Sequence, residues 1–165
     1  MMEIAKDGFK DDYRPRKNEC FGEKYELLVQ RWINEDLNLG NEIVYHPYGY
    51  RGRVDFKWDS ISAELELKRL VKTKYCDCAW LKSRIVDRFT DKNVRFRLAV
   101  VTEKKWGLIE EEYLRAENIL VIETGQINSK LEEKQAKAKF IDGIIDLIIA
   151  ECELEKSLRE YGGYG

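Results

Sequence analysis

Apolar residues recur along this chain at two spacings, and the order in which the spacings alternate outlines a fold. Phe21, Tyr25, Leu28, Val29, Trp32 and Ile33 repeat at intervals of three and four, which predicts a helix from about Glu19 to Asp36. Asn38-Leu39-Gly40-Asn41 ends it. The interval then drops to two, the period of a strand. Strands are expected at Glu42–His46, Arg53–Trp58 and Ile61–Leu70, separated by the loop Pro47–Gly52 and by a tight turn at Asp59-Ser60. In the second strand Val54, Phe56 and Trp58 fall on one face, with Asp55 and Lys57 on the other. A helix over Cys78–Thr90 follows, with Trp80, Leu81, Ile85 and Phe89 on its apolar side. The remaining elements are a strand at Arg95–Thr102, a helix at Leu108–Ala116, a strand at Ile119–Glu123 and a long helix at Ser129–Leu158 capped by Asn128.

The first three strands suit a meander. The later ones alternate with helices and so require crossover connections. The expected architecture is one α/β domain, with a central mixed β-sheet flanked by helices and a long C-terminal helix. Residues 1–18 read as a flexible lead-in, 19–127 as the core, 128–158 as a helix that packs on the core or dimerises, and 159–165 as a disordered tail.

One strand departs from the ordinary amphipathic pattern. In Glu64-Leu65-Glu66-Leu67-Lys68 the leucines supply a core face, and the opposite face carries two carboxylates and an ammonium in a row. Glu and Lys are weak strand formers, so a solvated strand gains little from them there. The surrounding charge fits the same picture. The net charge of −2 conceals a basic middle third: Tyr48–Trp106 holds 15 Lys/Arg against 8 Asp/Glu, while the segments on either side are acidic. A basic surface of this kind suits a polyanion such as nucleic acid.

Other chemistries are poorly supported. The single histidine, His46, precedes a proline at a strand end, where a structural or DNA-contacting role is expected. There is no phosphate-cradling GxxxxGK[ST] or GxGxxG loop. Met1–Lys10 lacks the apolar core of a signal peptide, and the longest apolar stretch, Phe140–Ala150, is interrupted by Asp142, Gly143 and Asp146. The expectation is a cytoplasmic protein without a membrane span. Cys20, Cys76, Cys78 and Cys152 then read as reduced thiols.

Carboxylates and lysines remain. Mg2+ takes hard oxygen ligands and keeps several waters, so two carboxylates on neighbouring strands are enough to hold it beside a phosphate. Asp55 and Glu66 meet that description if their strands pair around Asp59-Ser60, and Lys68, two residues beyond Glu66, projects to the same face. Asp55 followed by Glu66-Leu67-Lys68 resembles the D…(D/E)xK core of the PD-(D/E)XK, or restriction-endonuclease-like, nuclease superfamily. Type II restriction enzymes and archaeal Holliday-junction resolvases belong to it, and the resolvases are the closest in pattern. The resemblance runs from about Phe21 to Gly125 and includes the element order. Val54 stands where many members have the proline before the aspartate.

The resemblance implies a Mg2+-dependent deoxyribonuclease, with Mn2+ able to substitute, that hydrolyses phosphodiester bonds. Asp55 and Glu66 would hold the metal, and Lys68 would assist the attacking water. A third metal-site carboxylate is implied on the first helix, where Gly22-Glu23-Lys24-Tyr25-Glu26 resembles the family's GxxxE form and points to Glu26. Helical geometry agrees, since Glu26 borders the apolar stripe and Glu23 lies almost opposite it. Glu64 competes with Glu66 but lies about 7 Å along the strand and lacks the spacing to Lys68. DNA contacts are expected from Tyr48, Tyr50, Arg51 and Arg53 before Asp55, and from Lys72, Lys74, Lys82 and Arg84 after Lys68, with Arg88 on the same rim. Iron–sulfur relatives cluster their cysteines late in the chain, a spacing these four do not have. Phe140, Ile141, Ile144, Ile145, Ile148 and Ile149 form a stripe on the last helix that serves as core or pairs two protomers. A homodimer is also implied by resemblance. The competing readings are a non-catalytic DNA-binding module with this fold, and an interaction protein whose charged strand is only a set of surface ion pairs.

Overall fold

The computed structural model describes the backbone of residues 17–47, 54–72 and 74–162. Helix α1, Lys17–Arg31, runs into a π-helical turn, Trp32–Asp36, closed by the Leu37 N–H on the Trp32 carbonyl at 3.0 Å. Asn38 then takes the left-handed conformation, φ 55°, and stops the helix. Strand β1 is Ile43–Tyr45, β2 is Phe56–Trp58 and β3 is Ala63–Lys68. Between β2 and β3 the expected turn is a short 3₁₀ segment, Asp59–Ile61, that ends at Ser62 with φ 56°. Helix α2, Cys78–Arg84, precedes a 3₁₀ turn, Val86–Arg88. Strand β4, Phe96–Val101, helix α3, Leu108–Ala116, strand β5, Ile119–Glu123, and helix α4, Lys130–Gly162, complete the order.

The five strands lie in chain order. β1, β2 and β3 are antiparallel neighbours, whereas β3–β4 and β4–β5 are parallel. This is the meander followed by crossovers that the spacing predicts. Alternation along the strands then divides the core in two. Leu65, Leu67, Leu98 and Val100 face α1 and α4, where they meet Tyr25, Val29, Trp32, Ile33, Phe140 and Ile144. Ala99, Val101 and Ile119 face the other way, toward Leu81 and Ile85 of the α2 region and Leu114 of α3. The sheet is therefore covered on both faces, as its parallel half requires. Gly143 sits where α4 comes close to β5: a Cβ there would meet Ile122 Cδ1 at 2.6 Å. A mid-helix glycine costs about 1 kcal/mol against alanine, and here it admits the close approach.

Several boundaries differ from expectation for local reasons. Lys17 and Asn18 are helical and not part of a flexible lead-in. The second helix stops at Arg84 because Ile85 leaves helical geometry at φ −124°, so Ile85 and Phe89 reach the core from a 3₁₀ turn. The cap of α4 is Ser129, whose Oγ accepts the Glu132 N–H at 3.1 Å; Asn128 instead donates its own N–H to Glu132 Oε1 at 2.8 Å. That helix continues through Gly162, so residues 159–162 belong to it and not to a tail. Residues 1–16 and 163–165 lie outside the described residues. Among the described residues no helix is long and apolar enough to cross a membrane.

Candidate functional site

The site forms where β2 begins and β3 ends. Regular alternation would put Val54 beside Phe56 and Trp58. Instead Val54 packs into the opposite core with Leu70, Cys76 and Leu81. The backbone bends at Asp55, one residue before β2. The bend turns the Asp55 carboxylate toward the edge of β3, where Oδ2 accepts the Leu67 N–H at 2.7 Å. A side chain thus takes the hydrogen bond that a further strand residue would have taken. The Asp55 carbonyl is held from the other side by the His46 N–H at 2.7 Å, and His46 Nδ1 lies 3.3 Å from the Val54 carbonyl. The single histidine therefore fixes the backbone that carries Asp55.

Strand alternation points Glu64, Glu66 and Lys68 to the face covered by α2 and α3. Contrary to a solvated strand, both glutamates are buried, Glu66 at 2% exposure. Its Oε2 lies 3.1 Å from Lys68 Nζ and 3.3 Å from Arg88 Nε, and its Oε1 is buried without a hydrogen-bond partner. Arg88 arrives there from the 3₁₀ turn, Val86–Arg88, that follows α2. From the sequence, Arg88 is expected only on a basic rim. Glu64 stands one cross-strand row away, opposite Lys57 and Arg97, with its carboxylate 3.8 Å from Lys57 Nζ. Glu66 is thus the glutamate next to Asp55, and Glu64 belongs to a separate charged row.

Glu26 comes from α1, on the other side of the sheet, and is half-buried. The Tyr45 hydroxyl donates to its Oε1 at 3.0 Å, and Tyr45 itself stacks near Phe56 with ring centroids 5.0 Å apart. The electrostatics tie the three acids together. Burial pushes the Asp55 carboxyl well above the usual carboxylate range, and the charges of Glu66 and Glu26 push it further. Burial raises Glu66 as well, against the opposing pull of Lys68 and Arg88. Buried acids that repel one another are poor structural elements, because burying a charge costs free energy unless it is fully paired.

The sign of the resulting pH dependence follows. The folded protein holds its Asp55 proton to higher pH than the unfolded chain, where Asp titrates near about 3.9. Between those two values the folded state binds more protons, so stability falls as pH rises, at about 1.4 kcal/mol per pH unit for one fully retained proton. Asp55→Asn removes the charge and keeps an acceptor for the Leu67 N–H. It is expected to raise the melting temperature at pH 8 in EDTA and to flatten the decline between pH 5 and pH 8. Thermal melts of both proteins check this, and a variant less stable at pH 8, or an unchanged decline, contradicts it.

The donors match a hard divalent cation in kind: all are carboxylate oxygens, one of them an orphaned buried oxygen on Glu66. Among the described residues, however, no three His, Cys, Asp or Glu side chains are gathered so as to hold a metal ion. Each acid has a partner in the structure. Asp55 Oδ2 is engaged by an amide, Glu66 Oε2 by Lys68 and Arg88, and Glu26 Oε1 by Tyr45. The charges of both Glu66 and Glu26 act on Asp55.

Tyr48, Tyr50, Arg51 and Arg53 lie outside the described residues. Lys72, Lys74 and Arg84 are exposed. Lys82 is held by Asp87, with Nζ 3.1 Å from both carboxylate oxygens, and so is committed to its own turn. Much of the basic surplus of the middle third is likewise spent on acids, as at Lys57, Lys104, Lys105 and Arg95. Cys76, Cys78 and Cys152 are free thiols. Comparison of the chain with protein-family models, with curated proteins and with solved structures yields no match.

Proposed function

We propose that the protein is a metal-dependent DNA endonuclease built on a restriction-endonuclease-like core. The observation that supports this most is the buried, mutually repelling pair Asp55 and Glu66 with Lys68 Nζ 3.1 Å from Glu66. A mixed sheet whose meander carries the acids into its parallel half supports it further. Asp55 and Glu66 would hold Mg2+, or Mn2+ in its place, with Glu26 flanking. Such an ion supplies Lewis-acid polarisation of the phosphate and a lowered pKa for bound water.

The chain's own residues then have distinct tasks. Asp55 and Glu66, whose charges oppose one another, would be the ligands of such a cation, which would relieve that repulsion. Lys68 is a three-donor ammonium that would orient the attacking water and stabilise charge on the phosphoryl oxygens. Arg88 keeps Glu66 in place from the α2 side. Lys72 and Lys74, exposed just after the strand, would contact flanking phosphates, a contribution that is salt-sensitive and carries no sequence preference.

The ion-pair reading has contacts in its favour, since Glu66 meets both Lys68 and Arg88. It leaves unexplained why Asp55 is buried where the charges of two other acids, Glu66 and Glu26, act on it. Incubation with plasmid, linear and branched DNA, with Mg2+ or with EDTA, separates the readings. Cleavage that requires Mg2+ is the expected result, and no cleavage of any substrate overturns the proposal. Mg2+ at about a hundred times its Kd should also stabilise the fold by about 2.7 kcal/mol, an effect lost in Asp55→Asn. Calorimetry without any metal binding would count against the site itself.

A further inference from the structure

Lys68 is the last residue of β3, and the ladder with β4 ends at the pair Lys68 and Val101. Past that rung the chain still needs partners for its backbone, because Leu70 is buried and a buried N–H without a partner costs free energy. Thr102 supplies them. Its N–H donates to the Lys68 carbonyl at 3.2 Å. Its Oγ1 accepts the Leu70 N–H at 2.8 Å and donates to the Leu70 carbonyl at 3.2 Å. A hydroxyl has one proton and two lone pairs, so it makes both bonds at once. The Thr102 carbonyl in turn accepts the Gly125 N–H at 2.9 Å. All three polar groups of this residue are engaged, and it is fully buried. Gln126, half-buried just beyond β5, donates from Nε2 to the same Leu70 carbonyl.

These bonds bracket Lys68. Before it, the Leu67 N–H is held by Asp55 Oδ2 at 2.7 Å. After it, the Lys68 carbonyl and both backbone groups of Leu70 are held by Thr102. The lysine stem is flexible and the side chain is 26% exposed, so packing alone does not fix the ammonium. Its place, 3.1 Å from Glu66 Oε2, depends on where the stem leaves the backbone. The acids have other supports. Asp55 is held through Leu67 and His46, and Glu66 also meets Arg88. Loss of the Thr102 hydroxyl therefore acts on the lysine before it acts on the carboxylates.

We infer that Thr102, seconded by Gln126, is a positioning residue for Lys68: it anchors Leu70 and so sets the ammonium against Glu66. Thr102 is buried with its hydroxyl spent on the backbone, so it acts through Lys68 and does not touch DNA. That this placement serves cleavage rests on the endonuclease reading; the placement itself does not.

Thr102→Val keeps the branched shape and deletes the hydroxyl, whereas Thr102→Ser keeps the hydroxyl. Crystal structures of both variants should show Lys68 Nζ displaced from Glu66 in Thr102→Val and in place in Thr102→Ser. An unmoved ammonium in Thr102→Val overturns the inference, and so does equal displacement in both. In Mg2+-dependent DNA cleavage, Thr102→Val should lower kcat by about 10²-fold, the usual effect of a displacement of about 1 Å, and leave KM unchanged. Thr102→Ser should restore most of the loss. Calorimetry should give the same Mg2+ affinity for all three proteins. Affinity lost in step with kcat would make Thr102 merely structural, and an unchanged kcat would remove it from the reaction; either result overturns the inference. A wild type that cleaves no DNA ends the endonuclease reading, and the crystal comparison then decides the role of Thr102. If Thr102→Val does not fold, Gln126→Leu takes its place: a smaller displacement of Lys68 in the same direction supports the anchor, and none overturns it.

Discussion

Replacing Lys68 by methionine is expected to lower Mg2+-dependent DNA cleavage by about 10²–10⁴-fold, the usual loss when a single electrostatic or proton-handling group is removed from a reacting centre. Methionine keeps most of the apolar stem and deletes only the ammonium. The stability cost should be small, about 1 kcal/mol or less, because Lys68 is 26% exposed and Glu66 keeps Arg88. DNA affinity should change little, since one cation of many is lost. The effect therefore belongs in kcat, which separates Lys68 from a residue that merely binds phosphate. Glu66→Gln should cause a loss of similar size for a different reason: it removes a metal ligand and should also abolish the Mg2+-induced rise in melting temperature. Arg115→Met is the control, because Arg115 is exposed on α3 and pairs only locally with Glu112. Cleavage by Lys68→Met at the wild-type rate would remove the lysine from the mechanism. DNA binding that is salt-sensitive, survives Asp55→Ala and is never followed by cleavage would favour the non-catalytic reading.

The parts of this molecule that were legible in the sequence are those where periodicity alone decides. Leu108–Ala116 and Ile119–Glu123 emerge with their expected bounds because a helical stripe gives way abruptly to an apolar run. The antiparallel first half and the parallel second half of the sheet followed from the same logic, since short links favour a meander and long ones favour crossovers. The site was legible as a set of residues but not as an arrangement. Asp55 and Glu66 were named from spacing, yet the bend that takes Val54 to the other core and turns Asp55 into the strand edge is a backbone event with no glycine or proline to announce it. The burial of Glu64 and Glu66 was likewise hidden, because it depends on α2 and Arg88 closing over that face. Arg88 reaches Glu66 from the 3₁₀ turn beyond the regular helix, so helical spacing does not place it. The same limit applies at the C-terminal helix: the stripe Phe140–Ile149 was visible as one wide band, and only packing divides it into Phe140 and Ile144 inside and Ile145 and Ile149 outside.

That division yields the second large effect. Phe140→Ala is expected to destabilise the fold by about 3–5 kcal/mol, measured as a drop in denaturant midpoint at constant slope. Phe140 is fully buried, its ring centroid lies 5.7 Å from that of Trp32, and it joins α4 to α1 over Leu65, Leu98 and Val100. Both helices depend on the contact. Trp32 belongs to the π-helical turn that ends α1, and Gly143, one turn beyond Phe140, fixes how closely α4 lies on Ile122. The cavity cannot be filled by moving α4 inward, because Ile122 already meets the helix backbone at Gly143. The loss should therefore sit toward the upper end of the range, where a site cannot collapse. For a domain with about 5–15 kcal/mol to lose, this is a large part of the whole. Leu158→Ala, on the exposed end of the same helix, is expected to change stability by no more than about 0.5 kcal/mol. Similar losses at the two positions would mean that α4 is held along its entire length and not by its buried stripe.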